Sequence, residues 1–331
     1  MSGEREGVRI GVDLGGTHFQ VGVVAPGGEL LGRERGKTGA DDGVEAVVRR
    51  LAESITAAAR EAGLDDAGAL PPVGIGAPGV IDAAGGTVVE APNLRWNDVP
   101  LGAMLRDALG DRAPTISIDN DVNAAAWGEW TLGGHNGETV AGRLVRDMLA
   151  VWVGTGIGGG LVLDGHLYRG HFNSAGEIGH APAFPAFPLG RRKLEQVCSR
   201  HFVQSRLRDL IAGNTRSLLS EIVADGDLDT LTAADLATAY ERGDELTRRV
   251  LDESADLLGV ALATTVTTLS IPLVVLGGGL VETMGDAYVN RVAAALRADV
   301  FPGGVRAVRV VPTALRENAG LLGAAMLGKT G

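Results

Sequence analysis

Val8-Arg9-Ile10-Gly11-Val12-Asp13-Leu14-Gly15-Gly16-Thr17-His18-Phe19-Gln20-Val21-Gly22-Val23-Val24 is the stretch on which the fold turns. Two β-like apolar runs flank the loop Asp13-Leu14-Gly15-Gly16-Thr17, which makes a strand, a turn and a second strand. Pro26-Gly27-Gly28 supplies another turn, so a three-strand meander is predicted from Val8 to about Arg35. The layout recurs downstream. Met148-Leu149-Ala150-Val151-Trp152-Val153 leads into Gly154-Thr155-Gly156-Ile157-Gly158-Gly159-Gly160, then Leu161-Val162-Leu163 and the hairpin signal Asp164-Gly165. Two such glycine loops suggest a phosphate held between two halves, and their shared layout reads as an ancient duplication.

Outward from the first meander, Val44, Val47, Val48, Leu51, Ile55 and Ala58 fall at helical spacing between Gly43 and Ala62, an apolar face suited to cover the sheet. Val73-Gly74-Ile75-Gly76 and Pro114-Thr115-Ile116-Ser117-Ile118 read as strands. Asp119-Asn120-Asp121 then precedes the helix-forming run from Val122 to Trp127. After the aromatic and proline-rich loop Pro182 to Pro188 the sequence is largely helical to about Ser270. Leu273-Val274-Val275-Leu276 is a strand ending in Gly277-Gly278-Gly279, Val308, Val310 and Val311 mark another, and Ala319 to Leu327 is a small-residue helix built for close packing.

At 331 residues the chain exceeds the size at which one core stops growing, so two lobes are expected. Its 50 glycines are about twice the usual share of roughly 7%. A net charge of −11 without a Lys/Arg run excludes a nucleic-acid partner, which needs a concentrated basic surface. Lysine occurs only at positions 37, 193 and 329, none beside a glycine loop, which removes a P-loop NTPase. Met1 to Glu6 carries acidic residues and no apolar core, so no secretory signal is read and a cytoplasmic protein is expected. Leu257 to Val281 is broken by threonines and Pro272, giving a buried helix and a strand and no membrane span. A lone Cys198 excludes internal disulfides and a multi-cysteine zinc site.

The candidate chemistry sits in the loops. Gly154 to Gly159 contains the letters of a dinucleotide fingerprint, but no helix follows, so the turn presents backbone N–H groups to an anion as a nest or is simply structural. Gly15 and Gly16 let the main chain approach phosphate oxygens, Thr17 can donate its hydroxyl, and Asp13 can hold Mg²⁺ through water; the plain alternative is an Asx-type turn. Asp121 is either the N-cap of the following helix or a carboxylate kept ionised at the helix start, ready to accept a hydroxyl proton. Glu177 and His180, three apart, suit a sugar's vicinal hydroxyls if the turn is helical; otherwise they are a surface Glu and a partly buried structural His.

Together these residues resemble the ROK family, bacterial sugar kinases and related repressors. The resemblance implies an α/β chain with the actin-like, hexokinase-type ATPase fold, two α/β lobes with a nucleotide and sugar cleft between them. The smaller lobe would be residues 1–120 completed by the C-terminal helix 318–331, and the larger lobe 121–317. Asp13 to Thr17 is similar to the family's first phosphate loop. Ile75-Gly76-Ala77-Pro78-Gly79 and Pro92-Asn93-Leu94 resemble its sugar-site loops, and Asn120-Asp121 its sugar-binding Asn and catalytic Asp. The spaced glycines from Gly154, with Thr155 and Gly156, to Gly176-Glu177-Ile178-Gly179-His180 are similar to the family signature, and Gly277-Gly278-Gly279 resembles the adenosine-side loop.

The implied function is ATP- and Mg²⁺-dependent phosphorylation of a free hexose, glucose at its 6-hydroxyl first. Asp121 would be the base, and Gly79, Asn93, Asn120, Glu177, His180 and Glu195 the sugar subsite. Other implied substrates are N-acetylmannosamine, an amino sugar such as kanosamine or glucosamine, or fructose, and a non-catalytic sugar-binding regulator is the rival from another class. A homodimer is implied as well. The family's cysteine-rich zinc loop is missing between Pro182 and Gly190, so no zinc site is expected there, and Phe184 and Phe187 would supply rigidity by packing. His18 stands where many relatives have lysine. Twelve residues before Asp13 leave no room for a repressor's helix-turn-helix.

Overall fold

The structure is a computed structural model that describes residues 7–64, 68–184, 192–223 and 226–329. The described residues of Met1–Gly137, Gly160–Gly176 and Glu317–Gly331 form one compact unit, and those of Glu138–Gly159 and Glu177–Arg316 a second.

The first unit is built on the expected meander, β1 (Arg9–Leu14), β2 (His18–Val24) and β3 (Leu30–Lys37), followed by α1 (Val44–Glu61). β1 pairs antiparallel with β2 and parallel with β4 (Val73–Ala77). A small antiparallel sheet of β5 (Val80–Asp82), β6 (Thr87–Ala91) and β7 (Trp96–Val99) and helix α2 (Leu101–Leu109) come next. β8 (Ile116–Asn120) then pairs parallel with β4 and runs directly into α3 (Asp121–Leu132). The main sheet therefore has the order β3-β2-β1-β4-β8. Val47, Val48, Leu51, Ile55 and Ala58 of α1 are buried, as the spacing predicts, against a core that includes Val12, Val21, Val23 and Ile75. Helix α3, which the expected division assigns to the larger lobe, is an element of this unit.

The C-terminal helix Ala319–Met326 is buried along its length. A Cβ on Gly11 of β1 would lie 2.1 Å from the Leu321 carbonyl oxygen, one on Gly74 of β4 1.8 Å from that of Ala324, and one on Gly323 1.8 Å from that of Ala124 in α3. Helix, sheet and α3 thus meet backbone to backbone, which only residues lacking Cβ permit. The Trp127 indole N–H adds a bond to the Met326 carbonyl at 3.0 Å.

In the second unit a short hairpin of β9 (Thr139–Val140) and β10 (Arg143–Leu144) precedes β11 (Met148–Val153). β12 (Ile157–Leu163) starts in this unit, and the hairpin it forms with β13 (His166–Tyr168) ends in the first. Asp164 and Gly165 both adopt positive φ, 51° and 79°, the requirement of a two-residue I′ turn. After the short helix α4 (Glu195–Cys198) come α5 (Arg200–Ala212), α6 (Leu219–Ile222), α7 (Ala233–Glu241) and the long α8 (Glu245–Leu269). β14 (Leu273–Gly277), α9 (Gly279–Met284), α10 (Asp286–Asp299) and β15 (Arg309–Pro312) complete it. β14 pairs parallel with β11 and β15, and the strand order β13-β12-β11-β14-β15 repeats that of the first sheet. This repetition supports the duplication read from the sequence. The apolar stretch from Leu257 is the second half of α8, buried on one face through Leu258, Leu262, Ala263 and Val266 with Val260 and Leu269 exposed, and it leads into strand β14; no helix among the described residues is long and apolar enough to cross a membrane.

Between Pro182 and Gly190 only Pro182 to Phe184 are described, and Phe187 lies outside the described residues. The feet of this loop are tied by Ala183 N–H to Arg192 O at 2.9 Å and Leu194 N–H to Ala181 O at 3.2 Å.

Gly323→Ala is expected to lower the free energy of unfolding by about 1–3 kcal/mol through overpacking against α3, measured by denaturant titration. An unchanged midpoint would show that the close contact is not required.

Candidate active site

Asp13 is the last residue but one of β1, and after Leu14 the chain reverses through Gly15 N–H to His18 O, 2.9 Å. Thr38, fully buried, holds the turn from behind: its hydroxyl donates to Gly15 O at 2.7 Å and its N–H to Thr17 O at 2.9 Å. A Cβ on Gly16 would stand 3.1 Å from the Asn93 carbonyl oxygen and 3.2 Å from the Asn93 Cβ, so the turn lies against the 3-10 turn Pro92–Leu94. The structure therefore brings Asn93 beside Gly16, two residues assigned separately from the sequence.

The Asp13 carboxylate accepts from Gln20 Nε2 at 3.0 Å, and Gln20 Oε1 accepts from Arg33 at 2.6 Å. A Cβ on Gly320 would lie 3.0 Å from the Asp13 carboxylate, so the C-terminal helix leaves it little room. Burial pushes the Asp13 carboxyl above its ordinary value, with the Gln20 bond opposing. A desolvated carboxylate with an amide neighbour is a hard oxygen donor suited to a divalent cation or its water shell.

At the β8–α3 junction the N-cap is Asn120, where Asp121 was the sequence alternative. Asn120 Oδ1 accepts from the N–H groups of Val122 at 2.9 Å and Asn123 at 3.1 Å, while its Nδ2 donates to Gly79 O at 3.0 Å. Asn wins because its amide satisfies the helix end and the Gly79 loop together, which a carboxylate without a donor cannot do. Asp121 is the first residue of α3, partly buried, with its Oδ1 accepting from Val122 N at 2.8 Å. The neighbouring Asp119 is 2% exposed and committed: Arg169 Nε donates to it at 2.6 Å, Asn123 Nδ2 at 2.9 Å and Asn120 N at 2.8 Å. Of the three consecutive polar residues, then, Asp119 anchors and Asn120 caps. A Cβ on Gly76 would lie 3.3 Å from the Asp121 Cα, so a glycine of β4 admits the start of α3.

In the second unit Gly154 N–H donates to Gly156 O at 2.9 Å, closing the turn between β11 and β12. β12 begins immediately, so the helix a dinucleotide fingerprint requires is absent. Glu177 opens the single 3-10 turn Ile178–His180, with His180 N–H donating to Glu177 O at 3.2 Å. Gly179 fits only because it has no Cβ, which would sit 1.9 Å from the Ile157 carbonyl oxygen. His180 Nδ1 is 3.1 Å from Lys193 Nζ and 3.8 Å from Glu195 Oε1, and Glu195 Oε2 would be 2.9 Å from a Cβ on Gly156. His180 is 56% exposed, where burial was the structural alternative. The structure thus joins His180, Glu195 and the Gly156 turn, with Glu177 linked to them through the backbone. Gly278 has φ 90°, and its Cβ would meet the Val153 carbonyl oxygen at 2.7 Å, which seats the Gly277-Gly278-Gly279 turn on the end of β11.

Sequence reasoning missed Gln20, Thr38, Arg169 and Lys193. Gln20 stands opposite Asp13 in the β1–β2 hairpin and is reachable only from the strand register, while Thr38, Arg169 and Lys193 act on partners remote in sequence that no local pattern singles out. Cys198 is fully buried, and burial pushes its thiol up, so it offers no nucleophile.

The model of the ROK family matches residues 9–330. The chain is 33% identical to the glucokinase of Thermotoga maritima over 97% of its own length and 96% of the relative's. It is 30% identical to the N-acetyl-D-glucosamine kinase of Photobacterium profundum over 82% and 83%. Among solved structures it is similar to a ROK family glucokinase from Streptomyces griseus in complex with glucose and AMPPNP, with a TM-score of 0.78 at 28% identity, covering 98% of this chain and 100% of that one. The fold is accordingly the actin-like ATPase fold of that family's sugar kinases.

Asp13→Asn removes the cost of a desolvated charge and is expected to raise the thermal midpoint while activity falls. A carboxyl raised in the folded state costs nothing below its ordinary value, costs progressively more as pH rises from there to its raised value, and costs a constant amount above it. The gain is therefore largest at neutral and alkaline pH and vanishes in acid, as paired melting curves across pH will register; a gain independent of pH refutes the assigned cause.

Proposed function

Because the chain belongs to the ROK family, we propose that it transfers the terminal phosphoryl group of ATP to a free hexose, with glucose as the first substrate and the 6-hydroxyl as acceptor. The observation that carries the catalytic part of this reading is the β8–α3 junction. Asn120 takes over the capping and holds Gly79, which leaves Asp121 at the first position of α3. The partial positive charge of a helix start favours an ionised carboxylate, and an ionised carboxylate can accept a hydroxyl proton.

In the proposed reaction Asp121 orients the acceptor hydroxyl and takes its proton as the oxygen attacks the terminal phosphorus and ADP departs. No covalent intermediate on the protein is needed; phosphoryl transfer requires positioning and electrostatic stabilisation. Asn93, Asn120, Glu177, His180 and Glu195 hydrogen-bond the ring hydroxyls, beside the Gly79 loop. Backbone N–H groups around Gly16 and Gly156, in turns closed by the Gly15 and Gly154 N–H groups, receive the phosphates with the hydroxyls of Thr17 and Thr155, and Gly278 and Gly279 receive the adenosine side. Asp13 holds Mg²⁺ through water, and the ion when bound neutralises charge on the phosphates. A homodimer located in the cytoplasm belongs to the same proposal, and light scattering of the purified protein checks its oligomeric part.

The similarity to an N-acetyl-D-glucosamine kinase keeps an amino sugar as the second substrate class. A panel of hexoses and aminohexoses with ATP and Mg²⁺, read by coupled ADP release, decides between the classes, and an absence of turnover with every sugar would favour a binding regulator. Asp121→Asn is expected to lose about 10²–10⁴-fold in kcat while still binding the sugar in calorimetry. Near-normal turnover in that variant overturns its role as base.

A further inference from the structure

Arg200 stands at the first position of α5, behind the N-cap Ser199, whose hydroxyl accepts from Phe202 N–H at 3.2 Å. Its own N–H donates to the Gly154 carbonyl at 3.0 Å, so the helix is anchored on the glycine turn between β11 and β12. One terminal guanidinium nitrogen donates to Thr155 Oγ1 at 3.0 Å. The other would lie 3.6 Å from a Cβ on Gly279. A single guanidinium therefore touches both of the turns that the proposed function gives to the nucleotide in this unit.

Its bonding is incomplete for a structural arginine. Among the described residues no carboxylate lies within ion-pair distance of Arg200, and its buried Nε has no hydrogen-bond partner. Among the described residues a neutral threonine hydroxyl is its one side-chain acceptor. A guanidinium presents five donors in a planar fork that matches phosphate geometry, and unmet donors beside glycine turns, where a ligand can approach the main chain, suit a phosphate oxygen. A neutral ligand would leave the charge uncompensated.

We propose that Arg200 is a nucleotide-binding residue that grips the phosphate chain of ATP and ADP, with Thr155 setting the orientation of its guanidinium. This rests on the kinase reading of the same turns. The purine base is the competing target for a guanidinium, by stacking, so the test separates phosphate from base.

Binding of MgADP, inorganic tripolyphosphate and adenosine is measured by calorimetry on the wild-type protein, Arg200→Gln and Arg200→Lys, alongside KM for ATP and for the sugar. In Arg200→Gln, loss of charge-assisted bonds should weaken MgADP and tripolyphosphate about 10-fold or more and raise KM for ATP similarly. Adenosine affinity and sugar KM should stay unchanged, and Arg200→Lys should recover part of the loss. Unchanged MgADP and tripolyphosphate binding overturns the proposal. So does an equal loss of adenosine binding, which would place the side chain on the base or signal collapse of the turn. Circular dichroism and the sugar KM show whether the variant is folded. A wild-type protein that phosphorylates no sugar defeats the kinase reading, whereas an active wild type with an indifferent Arg200→Gln defeats only the role of Arg200.

Discussion

Backbone against backbone, without side chains between, is the contact on which the first unit depends. The C-terminal helix reaches β1 at Gly11, β4 at Gly74 and α3 through its own Gly323, each at a distance that a single methyl group would abolish. The same helix brings Gly320 to the Asp13 carboxylate. Moving it outward by the width of a methyl would displace Asp13's surroundings and α3 together, and with α3 the Asn120-Asp121 junction. The stability of the unit and the placement of its polar groups are therefore one problem with one solution.

Polar order in that unit follows a division of labour among carboxylates. Asp119 is buried and paired with Arg169 through Oδ2, while its Oδ1 accepts from Asn123 Nδ2 and the Asn120 N–H. Buried charge is tolerated when paired and fully hydrogen-bonded. Asp13 is desolvated with a neutral amide for a partner, a costlier state that a bound cation would relieve. Asp121 occupies a helix start, where the backbone itself favours the anion. Three aspartates of identical chemistry thus hold three different electrostatic positions.

The second unit uses glycine for a related end. Gly179 lets the 3-10 turn of His180 press on Ile157, and Gly156 admits the Glu195 carboxylate beside the turn. Lys193 and Arg200, flanking Glu195 in sequence, bring positive charge to the neighbouring groups, His180 and Thr155 respectively.

Much of this was legible from residues alone. Alternating apolar runs broken by glycine turns specify strands and hairpins through local sterics, and the α1 spacing specifies which face is buried, because both periodicities are properties of the backbone. The recurrence of the meander, the Asp13 and Gly154 turns and the polar junction after Ile118 could be read for the same reason. The choice of Asn120 over Asp121 as cap could not, since it depends on the Gly79 carbonyl brought near by strand pairing. Nor could Arg169 on Asp119 or Thr38 behind the first turn, each joined to its partner only when segments remote in sequence pack together. The sequence by itself determined the elements, their order and the residues able to do chemistry. Tertiary structure alone decided which of those residues are consumed by holding others in place, because a hydrogen bond is made once the fold has set the distance, and no local pattern carries that distance.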